Sequence, residues 1–137
     1  MNKAKLKILG TLLAIAFSFL LHGLYEKFPC FITSIFAPVN QSIWEHMKIL
    51  FGSITLSGVI QKIITLIKKE KINNICFSTF VSATLSIPIF LIMFLPLYHI
   101  FGENMIISIS IMIITIIIAE IISYYFTKKE ATLLSSF

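Results

Sequence analysis

The sequence contains few charged residues, and this scarcity excludes an ordinary soluble domain. Charged residues make up 12% of the 137-residue chain, whereas hydrophobic residues make up 58%. A soluble domain normally carries about 25% charged residues. A lipid bilayer as the surrounding solvent explains the low share of charged residues. An apolar run of about 20 residues is long enough to span the core of a bilayer. Four such spans use most of the chain, so no second, soluble domain is expected.

Arginine is absent and cysteine is scarce. All 11 basic residues are lysines at or near the ends of apolar segments. The net charge of +5 therefore indicates membrane topology rather than a nucleic-acid partner. The two cysteines, Cys30 and Cys76, are predicted to lie on opposite sides of the bilayer. Because they cannot then pair within one chain, a disulfide framework and a Cys-based zinc site are excluded.

The long apolar runs predict an all-α integral membrane bundle of four transmembrane helices. These helices are expected at about residues 8–25, 42–67, 75–97 and 105–126, in a single domain that covers 1–137. Residues 27–41 are predicted to form an outer interfacial loop, because this stretch is too short and too interrupted by proline to span.

The lysines are unevenly divided between the two sides of the predicted membrane. One side has Lys3, Lys5, Lys7, Lys68, Lys69, Lys71, Lys128 and Lys129, with Lys62 near it. The other side has only Lys27 and Lys48. The positive-inside rule makes the first side cytoplasmic, so both termini are expected in the cytoplasm.

Most of the polar residues near the membrane gather at the opposite, extracytoplasmic end. His22 and Glu26 lie four residues apart on one helix face, and Glu45 and His46 lie at the start of the second helix. His99 is predicted in the outer loop that follows the third helix.

This outer cluster has a functional and a structural interpretation. His22, Glu26 and His46 are candidate ligands for a divalent metal such as zinc, since two histidines and a carboxylate suit that ion. The same residues with Glu45 are candidate acid–base groups acting on a lipid or a peptide. In the structural interpretation Glu45 caps its helix with Ser42 as N-cap, and the histidines only form hydrogen bonds.

Polar side chains also recur deeper in the membrane. Ser53, Ser57, Gln61 and Thr65 follow one another at every fourth residue, as do Ser78, Ser82 and Ser86. This spacing favours close helix packing over a polar path for an ion or small solute. Glu120 lies at a height similar to that of Gln61 and Lys62, so it is expected to pair with Lys62 or to accept a hydrogen bond from Gln61.

The run from Pro38 to Lys48, Pro-Val-Asn-Gln-Ser-Ile-Trp-Glu-His-Met-Lys, resembles a signature of a small bacterial family of multi-pass membrane proteins of unknown function. The family pattern is P-V-N-E-S-[IV]-W-E-H-[LM]-K, and Gln41 stands where it has Glu. His22, Tyr25 and Glu26 are similar to a second stretch of that family. The resemblance implies no activity, but it points to a site built from His22, Glu26, Asn40, Glu45 and His46, with Trp44 as an interfacial anchor.

Three functional hypotheses follow. The first is a protein of the bacterial cytoplasmic membrane that binds a lipid, a peptide or a partner subunit at its outer face. The second is a membrane hydrolase or transferase, metal-dependent in one version, that acts on a lipid or peptide. The third is a small transporter with a continuous polar path that includes Glu120. Each is compatible with a homo-oligomer, and none involves nucleic acid.

Overall fold

The computed structural model describes residues 2–40 and 42–129, and the secondary structure of this part of the chain is entirely helical. Its helices are α1 (Lys3–Lys27), α2 (Phe31–Phe36), α3 (Ile43–Ile67), α4 (Ile75–Phe101) and α5 (Met105–Lys128). Helices α1, α3, α4 and α5 are long and apolar enough to cross a membrane. The prediction of an all-α bundle with four candidate spans is confirmed.

Short polar side chains begin three of the four long helices. Asn2, Ser42 and Asn104 each accept hydrogen bonds from backbone amides in the first turn of their helix. Such caps satisfy donors that have no partner within the helix. Helix α4 is followed by its C-cap, Gly102, whose φ of +69° lies in the left-handed region that favours glycine.

The helices extend beyond the apolar runs from which they were predicted. Helix α1 begins at Lys3 rather than at about residue 8, and α4 continues to Phe101 rather than ending at about residue 97. The predicted outer loop contains the short helix α2. Hydropathy marks the apolar part of a helix, whereas polar turns at either end also keep helical geometry when a cap stabilises them.

The four long helices form a ring around one core. Helix α1 packs against α3 and α5, and α4 packs against the same two helices from the other side. The core contains buried apolar side chains such as Leu50, Ile54, Phe90 and Ile116. The end of the bundle that contains the last residues of α1 and α4 is called the histidine end. The opposite end, where the chain starts and α3 finishes, is the lysine end.

Candidate functional site

A cavity of about 850 Å³ lies between the four long helices at the histidine end. Its lining consists of Phe19, His22, Ser42, Ile43, Trp44, His46, Phe94, Tyr98, Glu103, Asn104, Met105, Ser108, Ile109 and Met112. Asn104 and Met112 are eight helical residues apart, which corresponds to a depth of about 12 Å. The polar groups lie nearer the helix ends than Phe19, Phe94 and Met112. The mouth therefore has both polar groups and the apolar side chains of Ile43, Trp44 and Met105, whereas the deeper part of the cavity is apolar.

Two predicted site residues, His22 and His46, lie side by side in this cavity. Their ring centroids are 6.2 Å apart. Nδ1 of His46 lies 2.9 Å from the carbonyl oxygen of Ser42. Because a carbonyl only accepts, this contact assigns the hydrogen to Nδ1 and leaves Nε2 of the neutral ring as an acceptor. The ring of Phe90 stacks on His46 with the centroids 6.4 Å apart.

The connection into α3 is held by its own polar side chains. Oδ1 of Asn40 accepts a hydrogen bond of 3.0 Å from the amide of Ser42. The carboxylate of Glu45 accepts one of 3.1 Å from the amide of Val39 and pairs with Nζ of Lys48 at 2.6 Å. These contacts of Asn40, Glu45 and Lys48 therefore hold the connection against the start of α3. They also fix the position of His46 in the first turns of that helix.

The predicted cluster is brought together only in part. Glu26 and His99 are exposed, and neither they nor Glu45 line the cavity. Trp44 lies at the edge of the cavity with 72% of its surface exposed. Gln41 lies outside the described residues. Within 2–40 and 42–129, no group of three or more His, Cys, Asp or Glu side chains is arranged to hold a metal ion.

A second polar cluster lies nearer the lysine end, buried among α1, α3 and α5. Nζ of Lys7 lies 3.5 Å from Oε2 of Glu120, and the two residues are only 5% and 3% exposed. Nε2 of Gln61 donates hydrogen bonds of 3.1 Å to Oε1 of Glu120 and to the hydroxyl of Ser57. The Ser57 hydroxyl donates to the carbonyl oxygen of Gly10 at 2.7 Å. This cluster ties three helices together inside the bundle.

The structure contains one of the two alternative partners predicted for Glu120. The hydrogen bond from Gln61 is confirmed, but the cation beside Glu120 is Lys7 and not Lys62. Lys62 is partly exposed, whereas Lys7, which was counted with the lysines of the predicted cytoplasmic side, is buried. Lys62 follows Gln61 directly, so its side chain leaves the helix about 100° away from the face that carries Gln61.

One signal in the sequence marks the buried face of α1 and was missed. Gly10, Ala14 and Ser18 recur at every fourth residue, and all three are buried. Lys7 lies three residues before Gly10, so it belongs to the same face. Small residues let helices approach closely, and this stripe was therefore evidence that Lys7 points into the bundle.

The serines of the two rows are buried, and most of their hydroxyls bond within their own helix. Ser53, Ser82 and Ser86 donate to carbonyl oxygens three residues earlier in their own helices. Ser78 donates in the same way to the carbonyl oxygen of Ile75 at 2.9 Å, and it also accepts a hydrogen bond of 3.1 Å from Ser123, which joins α4 to α5. Along α3, the buried apolar residues Leu50 and Ile54 lie between His46 and Ser57.

The chain was compared with known families, curated proteins and solved structures. Neither the curated proteins nor the solved structures give a significant match. The match to a family extends over residues 1–136, and that family is described as a family of unknown function, DUF6512. Since the match covers nearly the whole chain, this protein belongs to the DUF6512 family.

Proposed function

We propose that this chain is a membrane protein that binds a membrane lipid in the cavity at its histidine end. The observation that carries the proposal is that the polar lining groups lie toward the mouth, whereas only apolar side chains line the deepest part. A lipid has the same change of polarity from head group to chain. The volume of about 850 Å³ is within the range of about 300–1,000 Å³ that small-molecule sites occupy.

The proposal includes an orientation and a location. The lysine distribution supports a topology with both termini in the cytoplasm and the cavity at the outer face of the membrane. The resemblance of the run from Pro38 to Lys48 to a bacterial signature supports the bacterial cytoplasmic membrane as the location. In this orientation the mouth of the cavity lies at the level of the outer head groups.

Filling the cavity tests lipid binding. Ser108→Trp is expected to remove most of the lipid that co-purifies with the protein in mild detergent, because the indole would occupy the cavity. Ser110→Trp is the matched control, since Ser110 is exposed, lies on the same helix and does not line the cavity. Both hydroxyls bond to a carbonyl four residues earlier, so each variant loses the same kind of hydrogen bond.

Native mass spectrometry would count the bound lipids in these two variants and in the unmodified chain. Loss of lipid from Ser108→Trp but not from Ser110→Trp supports the cavity as the site. Equal retention by both variants, or no bound lipid in the unmodified chain, contradicts the proposal.

A zinc-dependent hydrolase or transferase is the second candidate, and the His22–His46 pair favours it. Two imidazoles that bind one zinc ion through bonds of about 2.0–2.1 Å have ring centres roughly 5–6 Å apart, close to the 6.2 Å seen here. The hydrogen bond from Nδ1 of His46 to a backbone carbonyl is also typical of metal-binding histidines.

Metal analysis of protein purified without chelator tests this candidate. The enzyme hypothesis predicts about one zinc ion per chain, lost in both His22→Ala and His46→Ala. His99→Ala is the control, because His99 is exposed outside the cavity. Protein that holds no zinc when purified, and takes up none from a zinc-containing buffer, contradicts the enzyme hypothesis.

A further inference from the structure

The charges that line the cavity select the chemistry of its ligand. Glu103, in the turn between α4 and α5, supplies a carboxylate at the mouth. No lysine is among the described lining residues, and the chain contains no arginine. Lys48, on the same stretch of α3 as His46, is already paired with Glu45 and donates to the carbonyl oxygen of Ser34 at 2.9 Å. The mouth therefore has a formal negative charge while its histidines are neutral.

The other polar and aromatic side chains that line the cavity favour a ligand group that is positively charged and donates hydrogen bonds. When the His46 ring is neutral, the contact of Nδ1 with the carbonyl oxygen of Ser42 makes Nε2 the acceptor. The ring of Tyr98 lines the cavity and is half-buried, whereas Phe94 is buried and its ring stacks on Phe90 with centroids 5.0 Å apart. The face of an aromatic ring attracts a cation within about 6 Å of its centre. The lining of this one cavity thus includes a carboxylate, an imidazole acceptor and the ring of Tyr98.

Resting on the lipid-binding function proposed above, we propose that the cavity selects a zwitterionic aminophospholipid whose primary ammonium group lies against Glu103. The ammonium group carries the positive charge and the N–H donors that these groups accept. The parts of the acyl chains next to the head group lie against the apolar part of the cavity toward Phe19 and Met112, and the rest of each chain extends outside it. An anionic head group without an amine would instead place its charge beside the Glu103 carboxylate.

The test compares two lipids with the same dioleoyl chains, phosphatidylethanolamine and phosphatidylglycerol. Each is titrated into delipidated full-length protein, and binding is measured by native mass spectrometry. The ethanolamine lipid is expected to bind about five- to tenfold more tightly. Glu103→Gln should bring the two affinities together. Glu26→Gln should keep the preference, because it removes the same charge at an exposed position outside the cavity.

The outcomes separate this inference from the function on which it rests. A preference for the ethanolamine lipid that Glu103→Gln abolishes and Glu26→Gln preserves supports the inference. Equal affinities in the unmodified chain, or a preference for the glycerol lipid, overturn the head-group selection while lipid binding stands. If neither lipid binds, the proposed function fails as well.

Discussion

Replacing Glu120 with alanine is expected to lower the free energy of unfolding by about 3–5 kcal/mol, the usual cost of removing one partner of a buried ion pair. The change leaves the buried ammonium of Lys7 without its counter-charge, and it removes the acceptor of a hydrogen bond from Gln61. Such a charge is costly inside a membrane protein. Unfolding in detergent, followed by circular dichroism against denaturant, measures the loss.

A double-mutant cycle shows whether Lys7 is the partner that matters. Lys7→Met is expected to be as destabilising as Glu120→Ala. The combination Lys7→Met with Glu120→Ala should recover part of the summed loss, because neither charge of the pair remains in the bundle. Lys5→Met is the control on an exposed lysine of the same helix, and Lys62→Met tests the alternative cation. A large effect of Lys62→Met together with a neutral Lys7→Met would contradict this pairing.

Gly10→Ala is expected to be less stable than Gly23→Ala by about 1–3 kcal/mol, the cost of forcing extra volume into a packed interior. A methyl group at Gly10 would overlap the side-chain amide of Gln61 and would lie 3.1 Å from Oε1 of Glu120. A methyl group at Gly23 would meet nothing within 4 Å. The variant therefore tests how closely α1 approaches the buried cluster.

The two glycines form a matched pair, because both lie within α1 and both gain the same helix propensity from alanine. Their difference in unfolding free energy therefore isolates the steric contact. Equal stabilities would mean that α1 does not approach Gln61 as closely as described. Combining Gly10→Ala with Gln61→Ala should shrink the difference, since the side chain that clashes is then removed.

The sequence was sufficient to predict the four long helices and one contact between them. Apolar runs of about 20 residues leave few alternatives, and Ser42 lies at the predicted N-cap. The Gln61–Glu120 hydrogen bond was predicted because rise per residue gives the height of a side chain in the membrane. The height of a residue along its helix does not show towards which neighbouring helix its side chain points. The choice between Lys62 and Lys7 as the partner of Glu120 therefore also needed the packing face of α1.

The cavity was less predictable than the helices. The sequence placed His22 and His46 at one end of the bundle, and the structure brings their rings to 6.2 Å. Glu26 shares a helix face with His22 but lies one turn nearer the helix end, where it is exposed. Tyr98 and Ser108 line the cavity because α4 and α5 border it. No local pattern in the sequence shows which helices pack next to one another at this end of the bundle.

Imidazole NMR signals, followed while lipid is added, give the most direct test of the central claim that this cavity binds a lipid. The chain has three histidines, and His99 is exposed outside the cavity, so it serves as an internal control. Dioleoyl phosphatidylethanolamine is expected to shift the signals of His22 and His46 together and saturably, to leave His99 unchanged, and to have no effect in Ser108→Trp. Shifts of all three signals alike, or of none, would contradict lipid binding in this cavity.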